Sequence, residues 1–308
     1  MKLQLTVLLT ALYAGSAVAS QVYFTNDSNG MVGYETSTAV GTPFLGGSSG
    51  NWNGRQLAYD SNNDRVYYTD DDFGFGYYDV ATGTSTANVG GSSGNWTGRS
   101  LIYDNHNDRL VFTTDDAGLG TWSATTNTYE FGLGGSSGNW NGSDLAYNHT
   151  TDKLYATSHS NGLLEYDNAT GVMSSNLFGS SGNYYGWEIA ADWNNNRLYI
   201  THDTVGLSVI DVATGVWTTS LGGSSGNWTG WDLAYDASDD LVWFTHDTAG
   251  LSYYDPTSGS FTTNFGGTSG NFTPSDLAVG ATSVPAPGGF LLLLAGILGL
   301  SARLGRRR

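Results

Sequence analysis

The stretch LGGSSGNW, Leu45–Trp52, recurs letter for letter at Leu133–Trp140 and at Leu221–Trp228. VGGSSGNW from Val89, LFGSSGNY from Leu177 and FGGTSGNF from Phe265 fill the intervals, so six copies start 44 residues apart. A fixed period of this size marks a chain built from repeated supersecondary units. The unit reads most clearly over Asn227–Gly270. WDLAYD (Trp231–Asp236) alternates, with Leu233 and Tyr235 on one side and Asp232 and Ala234 on the other. The turn ASDD leads to LVWFTH (Leu241–His246), DTAG to LSYYD (Leu251–Asp255), and PTSG to SFTTNF (Ser260–Phe265). Four short strands per period, joined by Gly/Asn/Asp turns, predict one blade of a β-propeller. A helical repeat would carry Gly and β-branched residues inside every helix.

The ends of the repeat set the number of blades. Five complete units begin at Asn51, Asn95, Asn139, Asn183 and Asn227, and the sixth loop leads only to SDLAVG (Ser275–Gly280). QVYFTN (Gln21–Asn26), MVGYE (Met31–Glu35) and AVGTPF (Ala39–Phe44) supply the missing second, third and fourth strands. The expected fold is all-β, a six-bladed propeller of 44-residue repeats. Its ring closes where the C-terminal strand joins the N-terminal blade, which leaves no open sheet edge. Segments such as LAYDSNNDRVYYT (Leu57–Thr69) are similar to YVTN- and NHL-type propeller repeats. That likeness implies the fold and no activity, because one fold hosts many functions.

Both termini read as separate from the propeller. Residues 1–19 carry one cation, Lys2, then an apolar run, then small residues at Ala17 and Ala19. This is the pattern of a secretory signal peptide cut after Ala19. Residues 284–308 read VPAPGGFLLLLAGILGLSARLGRRR. Gly288–Ala302 is uncharged and would span about 22 Å as a helix, against roughly 30 Å of hydrocarbon. Arg303, Arg306, Arg307 and Arg308 follow and would stay on the cytoplasmic side. A Pro-bounded motif, an apolar helix and a basic cluster, in that order, resemble the PEP-CTERM sorting signal. The resemblance implies Sec export, a transient inner-membrane anchor and cutting by an exosortase-type enzyme. It also implies a Gram-negative host that makes extracellular polysaccharide. The family's core triplet is Pro-Glu-Pro, where this chain has Pro285-Ala286-Pro287. The alternative is a C-terminal anchor that is never cut. The propeller itself is expected over residues 20–283.

Lys2 and the four tail arginines are five of the 11 basic residues, and the ends hold none of the 28 acidic ones. The propeller therefore carries 6 basic against 28 acidic residues, a net charge of −22. Such a surface argues against nucleic acid and anionic membranes, and suits divalent cations or neutral ligands. The chain has no cysteine, so packing alone holds the fold even in an oxidising compartment.

In a four-stranded meander the repeated loop shares a rim with the turn between second and third strands, HDTAG in the fifth unit. The opposite rim, with YDSNND and DVATG, reads as turn chemistry alone. The loop rim carries an aromatic ring: Trp52, Trp96, Trp140, Tyr184, Trp228 and Phe272. Flat rings beside hydroxyls and amides suit sugar faces, and equally suit wedging between blades.

The repeats control one another. Before the first strand the series is Arg55, Arg99, Ser143, Trp187, Trp231, Ser275, and the next position is Gln56, Ser100, Asp144, Glu188, Asp232, Asp276. The second strand ends in Asp70, Thr114, Ser158, His202, His246 and Asn26. Two adjacent units thus share Trp187, Glu188, His202, Asp203 and Trp231, Asp232, His246, Asp247, a set able to bind a metal or to act as acid and base. Asp144, Glu188, Asp232 and Asp276 form a second candidate, a Ca²⁺ site at the channel mouth. No segment reads as a G-x-S-x-G nucleophile elbow, and the chain has no G-x-x-x-x-G-K, H-E-x-x-H or EF-hand loop. The expected role is a monomeric, non-catalytic propeller at the cell surface or in the extracellular matrix, binding polysaccharide or another extracellular ligand. The alternatives are a Ca²⁺-dependent hydrolase or lyase, and a passive structural protein.

Overall fold

The computed structural model describes residues 20–26, 30–48, 54–70, 74–92, 98–114, 117–136, 142–158, 161–180, 186–202, 204–224, 230–246, 249–268 and 274–281. Within these, the side chains of residues 26, 54–55, 98–99, 142–143, 186–187, 230–231, 274–275 and 281 are not described. The expected signal and sorting segments, with Ala17, Ala19, Pro285 and Pro287, lie outside the described residues. So do the six loop aromatics.

Each repeat folds as one four-stranded antiparallel blade. The first blade is Gly54–Asp60, Arg65–Asp70, Gly74–Asp79 and Thr84–Thr86, from the axis outward. The second is Gly98–Asp104, Arg109–Thr114, Gly118–Ser123 and Thr128–Phe131. The third is Gly142–Asn148, Lys153–Ser158, Gly162–Asp167 and Val172–Ser174. The fourth is Gly186–Asp192, Arg197–His202, Gly206–Asp211 and Val216–Thr218. The fifth is Gly230–Asp236, Leu241–His246, Gly250–Asp255 and Ser260–Thr262. In the sixth, the C-terminal strand Pro274–Ala281 is innermost and pairs with Ser20–Asn26, followed by Gly30–Glu35 and Val40–Thr42. The two ends of the propeller therefore meet in one sheet, and the ring of six closes.

The core lies between blades, so both faces of every inner strand are covered. Leu233 packs with Ala190, Tyr199 and Leu207 of the fourth blade, whereas its neighbour Ala234 packs with Val22, Phe24 and Leu277 of the sixth. Burial on both faces explains near-continuous apolar second strands such as Val242-Trp243-Phe244. Six apolar clusters, one per blade interface, run around the ring among the described residues. Tyrosines stack across several interfaces: Tyr67 on Tyr103 at 5.7 Å, Tyr199 on Tyr235 at 6.3 Å and Tyr23 on Tyr59 at 6.2 Å between ring centres. Each such pair contributes about 0.5–1.5 kcal/mol beyond its buried area.

The repeated loop begins earlier than its sequence suggests. The outer strand of the fifth blade ends at Thr262, and Phe265–Gly267 forms a 3-10 turn entered through Asn264 at φ 59°. The hydroxyl that follows each such turn accepts the backbone N–H at the start of its blade's third strand. Ser48 takes Met31 N at 2.8 Å, Ser92 takes Phe75 N at 2.7 Å and Ser136 takes Leu119 N at 2.9 Å. Ser180, Ser224 and Thr268 do the same for Leu163, Leu207 and Leu251. The glycine just before each receiving amide leaves room for this contact. At Gly206 (φ +72°) an added Cβ would lie 2.6 Å from the Ser224 side chain.

On the opposite rim, the positive φ of the first turn is taken by Asp64, Asp108, Asp152, Asn196 and Asp240 rather than by glycine. Short polar side chains tolerate that conformation. Tyr59, Tyr147 and Tyr235 hydroxyls bind the carboxylates of Asp64, Asp152 and Asp240 at 2.9, 3.0 and 2.8 Å.

Candidate functional site

The channel-mouth carboxylates are aimed by a β-bulge. In the third blade Gly142 pairs with Ser158 and Leu145 with Ala156, so residues 143 and 144 together oppose Thr157. The same shift lies between Gly186 and Ile189 and between Gly230 and Leu233. A bulge bends the strand and redirects one side chain. The opposed threonine fixes the bulged backbone: Thr157 Oγ1 accepts Asp144 N and Thr201 Oγ1 accepts Glu188 N, both at 3.1 Å.

The redirected carboxylates reach the next blade. Asp144 Oδ2 accepts Ile189 N at 2.8 Å, Asp232 Oδ2 accepts Leu277 N, and Asp276 Oδ2 accepts Leu57 N. These bonds stitch the inner strands together, the last two across the closing blade. Ser100 Oγ also donates to Asp144 Oδ1 at 2.7 Å. Leu233 N donates to Asp232 Oδ1 at 2.8 Å, as Leu277 N does to Asp276 Oδ1 at 2.9 Å; Glu188 departs from the pattern in that, among the described residues, its carboxylate takes no amide of the next blade. One carboxylate oxygen each from Asp144, Glu188 and Asp232, on three consecutive blades, lies within 4.8 Å of the other two. Asp276 is joined to the group through a hydrogen bond with Asp232.

Asp144, Asp232 and Asp276 are 9%, 6% and 6% exposed and line a central cavity of about 270 Å³. Burial, then the charge of Asp232, pushes the Asp144 carboxyl up to about 8. Burial raises Asp232 to about 6, with the hydrogen bond from Asp276 opposing the rise. Glu188 and Asp276 are also held well above the ordinary carboxylate range, first by burial and then by neighbouring carboxylates. Four carboxyls in so small a volume cannot all ionise unless a cation joins them. The ion pairs Arg65–Asp79, Arg109–Asp104 and Lys153–Glu165 lie elsewhere.

His202 and His246 stand on the same rim, paired with Gly186 and Gly230. Their Nδ1 atoms face the adjacent turns: Thr204 N reaches His202 at 3.1 Å and Ala249 N reaches His246 at 3.3 Å. No histidine belongs to the metal-sized carboxylate group among the described residues. The side chains of Trp187 and Trp231, and Asp203 and Asp247 entirely, lie outside the described residues.

Two features of the rim went unread in the sequence. Threonine occupies the same place in all six second strands (Thr25, Thr69, Thr113, Thr157, Thr201, Thr245), and its sixfold recurrence was the signal. The segment GGSSG also meets the G-x-S-x-G spacing of a nucleophile elbow. That motif needs a strand-to-helix turn. Here the segment follows an outer strand, and its first serine is bonded to the third strand.

No protein-family model and no curated protein matches the chain. Solved structures do match. A chain from a nidogen/laminin complex superposes with a TM-score of 0.66 at 14% identity, over 86% of this chain and 99% of that one. The extracellular domain of a one-component system from B. thetaiotaomicron matches with a TM-score of 0.54 at 15% identity, over 81% of this chain and 33% of the other. A GH74 xyloglucanase from Xanthomonas campestris matches with a TM-score of 0.53 at 13% identity, over 80% of this chain and 43% of the enzyme. This chain thus spans less than half of the last two. Likeness at such identity shows the propeller fold.

Proposed function

We propose that this chain is an exported, non-catalytic propeller of the cell surface or extracellular matrix. It binds polysaccharide on the loop rim and holds Ca²⁺ at the channel mouth through Asp144, Glu188 and Asp232. The observation that carries the reading is the meeting of three carboxylates from three blades within 4.8 Å. Hard oxygen ligands at a rigid, partly enclosed site suit Ca²⁺. Export is supported by the signal-like residues 1–19 and the PEP-CTERM-like tail, cut by an exosortase-type enzyme after a transient inner-membrane stage. The extracellular domain and the xyloglucanase among the fold neighbours agree with such a setting.

Calorimetric titration with polysaccharide from an exosortase-bearing host, with Ca²⁺ and with EDTA, tests the reading. Ca²⁺-dependent binding that is lost in Trp187→Ala and Trp231→Ala supports it. No binding in either condition overturns the ligand, and no metal by elemental analysis of protein purified in Ca²⁺ overturns the cation. A second reading, a passive structural propeller, is favoured by the inter-blade bonds of Asp144, Asp232 and Asp276, and it wins if both results are negative.

A further inference from the structure

The opposite rim holds a buried carboxylate oxygen with no donor among the described residues. In the first, second and fourth blades the inner strand ends in Asp-x-x-Asn: Asp60–Asn63, Asp104–Asn107 and Asp192–Asn195. One carboxylate oxygen takes backbone amides of the turn, and the other takes the asparagine Nδ2 at 2.9, 2.8 and 2.8 Å. The fifth blade replaces that asparagine with Asp239, an acceptor. Asp236 is 2% exposed. Its Oδ1 receives Ser238 N at 2.9 Å, Ser238 Oγ at 2.7 Å and Ser20 Oγ at 2.9 Å, while its Oδ2 is buried without a hydrogen-bond partner. A buried, unpaired carboxylate oxygen is costly, and such atoms in folded proteins normally find a donor.

The residue facing Asp236 across the blade interface is Ser20, 1% exposed. It opens the second strand of the closing blade, and it is the first residue after the expected signal-peptide cut. Its carbonyl takes Thr36 N and Thr36 Oγ1 at 3.0 and 3.1 Å, and Thr36 Oγ1 in turn reaches Asp239 Oδ2 at 3.2 Å. In an uncut chain the Ser20 nitrogen is a neutral amide with one proton. Hydrolysis of the Ala19–Ser20 peptide bond by a signal-peptide-cleaving protease consumes one water. It leaves a carboxylate on Ala19 and an amine on Ser20, which takes a proton from solvent near neutral pH. That nitrogen is bonded to the Cα whose Cβ carries the Oγ already donating to Asp236 Oδ1.

We propose that the α-ammonium of Ser20, created by cleavage after Ala19, is the missing donor: it forms a buried ion pair with Asp236, flanked by Asp239, and locks the closing blade to the fifth. Asp239 stands where three other blades supply a donor, and the interface facing the start of the propeller is the one that receives a charge instead. The proposal rests on the export reading for the cut. It is independent of the polysaccharide and Ca²⁺ readings.

Mass spectrometry of the full chain after export tests the cut, and a first residue other than Ser20 overturns the proposal. The ion pair is tested separately on chains running to Arg308, produced by a protease-cleavable fusion and handled in detergent. One begins at Ser20 with a free amine, one is Nα-acetylated, and one keeps Ala19 in front. The free-amine chain is expected to melt about 5 °C or more above the other two. Asp236→Asn removes that difference. Asp239→Asn restores the asparagine donor of the other blades, and should bring the acetylated chain up to the free-amine one. Equal melting of the three chains, a difference that survives Asp236→Asn, or no rescue by Asp239→Asn overturns the ion pair.

Discussion

At the scale of single residues, the repeated loop is first a structural fastening. The Ser224 hydroxyl holds Leu207 N at 2.9 Å, and Gly206 leaves the space for it. Ser224→Ala strands a buried amide and should cost about 1–3 kcal/mol in urea unfolding. Ser224→Thr should be tolerated, because Thr268 already fills the equivalent place. The carboxylates of the other rim residues act through protonation. Asp144 and Asp232, raised to about 8 and about 6, keep protons in the folded state that the unfolded chain releases near pH 4. Without a cation, their contribution to stability is therefore complete below about pH 4 and is lost as the pH rises towards 8. Ca²⁺ should raise the melting temperature most at the upper end of that window. Glu188→Gln should melt higher than the parent at pH 8 in EDTA and lose the Ca²⁺-dependent shift. A shift that persists in that variant would remove Glu188 from the site.

At the scale of elements, the bulge joins sequence to site. Its position was not legible in the alternation of WDLAYD, which reads as a regular strand. The local pattern places Asp232 opposite Leu233, and only pairing with Leu241–His246 reveals that two residues face one. The four acidic positions were legible, because the repeats differ there while matching elsewhere. The sequence offered them both as a group of their own and in a set with His202 and His246, and it could not choose, because only the folded turns show that the histidines face Thr204 and Ala249. Thr201→Val keeps the side-chain shape and removes the acceptor of Glu188 N. It should cost about 1–3 kcal/mol and weaken the Ca²⁺-dependent rise in melting temperature. An equal loss of stability with the Ca²⁺ response intact would separate the bulge from the cation.

At the scale of the whole molecule, stability depends on closure. The sixth blade takes its inner strand, Pro274–Ala281, from one end of the propeller and three strands from the other. Apolar clusters on both its faces, one with Leu57 and Val66 and one with Trp243 and Leu251, bind it to its neighbours. A chain ending at residue 273 exposes both of those faces and an open sheet edge. It should lose cooperative melting by circular dichroism and elute as aggregate on gel filtration. A monomer with an unchanged melting temperature would mean that five blades close by themselves.

The sequence by itself determined the 44-residue period, the four strands of each blade, the number of blades and the way the ends combine. These features are local or strictly periodic, so neighbouring residues and turn chemistry suffice to encode them. Only the tertiary structure decided which residues meet across the ring. Asp144, Glu188 and Asp232 are 44 residues apart in sequence and converge because bulged inner strands curve around one axis. Ser20 and Asp236 are 216 residues apart and touch because the ring closes between the fifth and sixth blades. Convergence of that kind depends on curvature and register summed over all the blades, and no single repeat contains it.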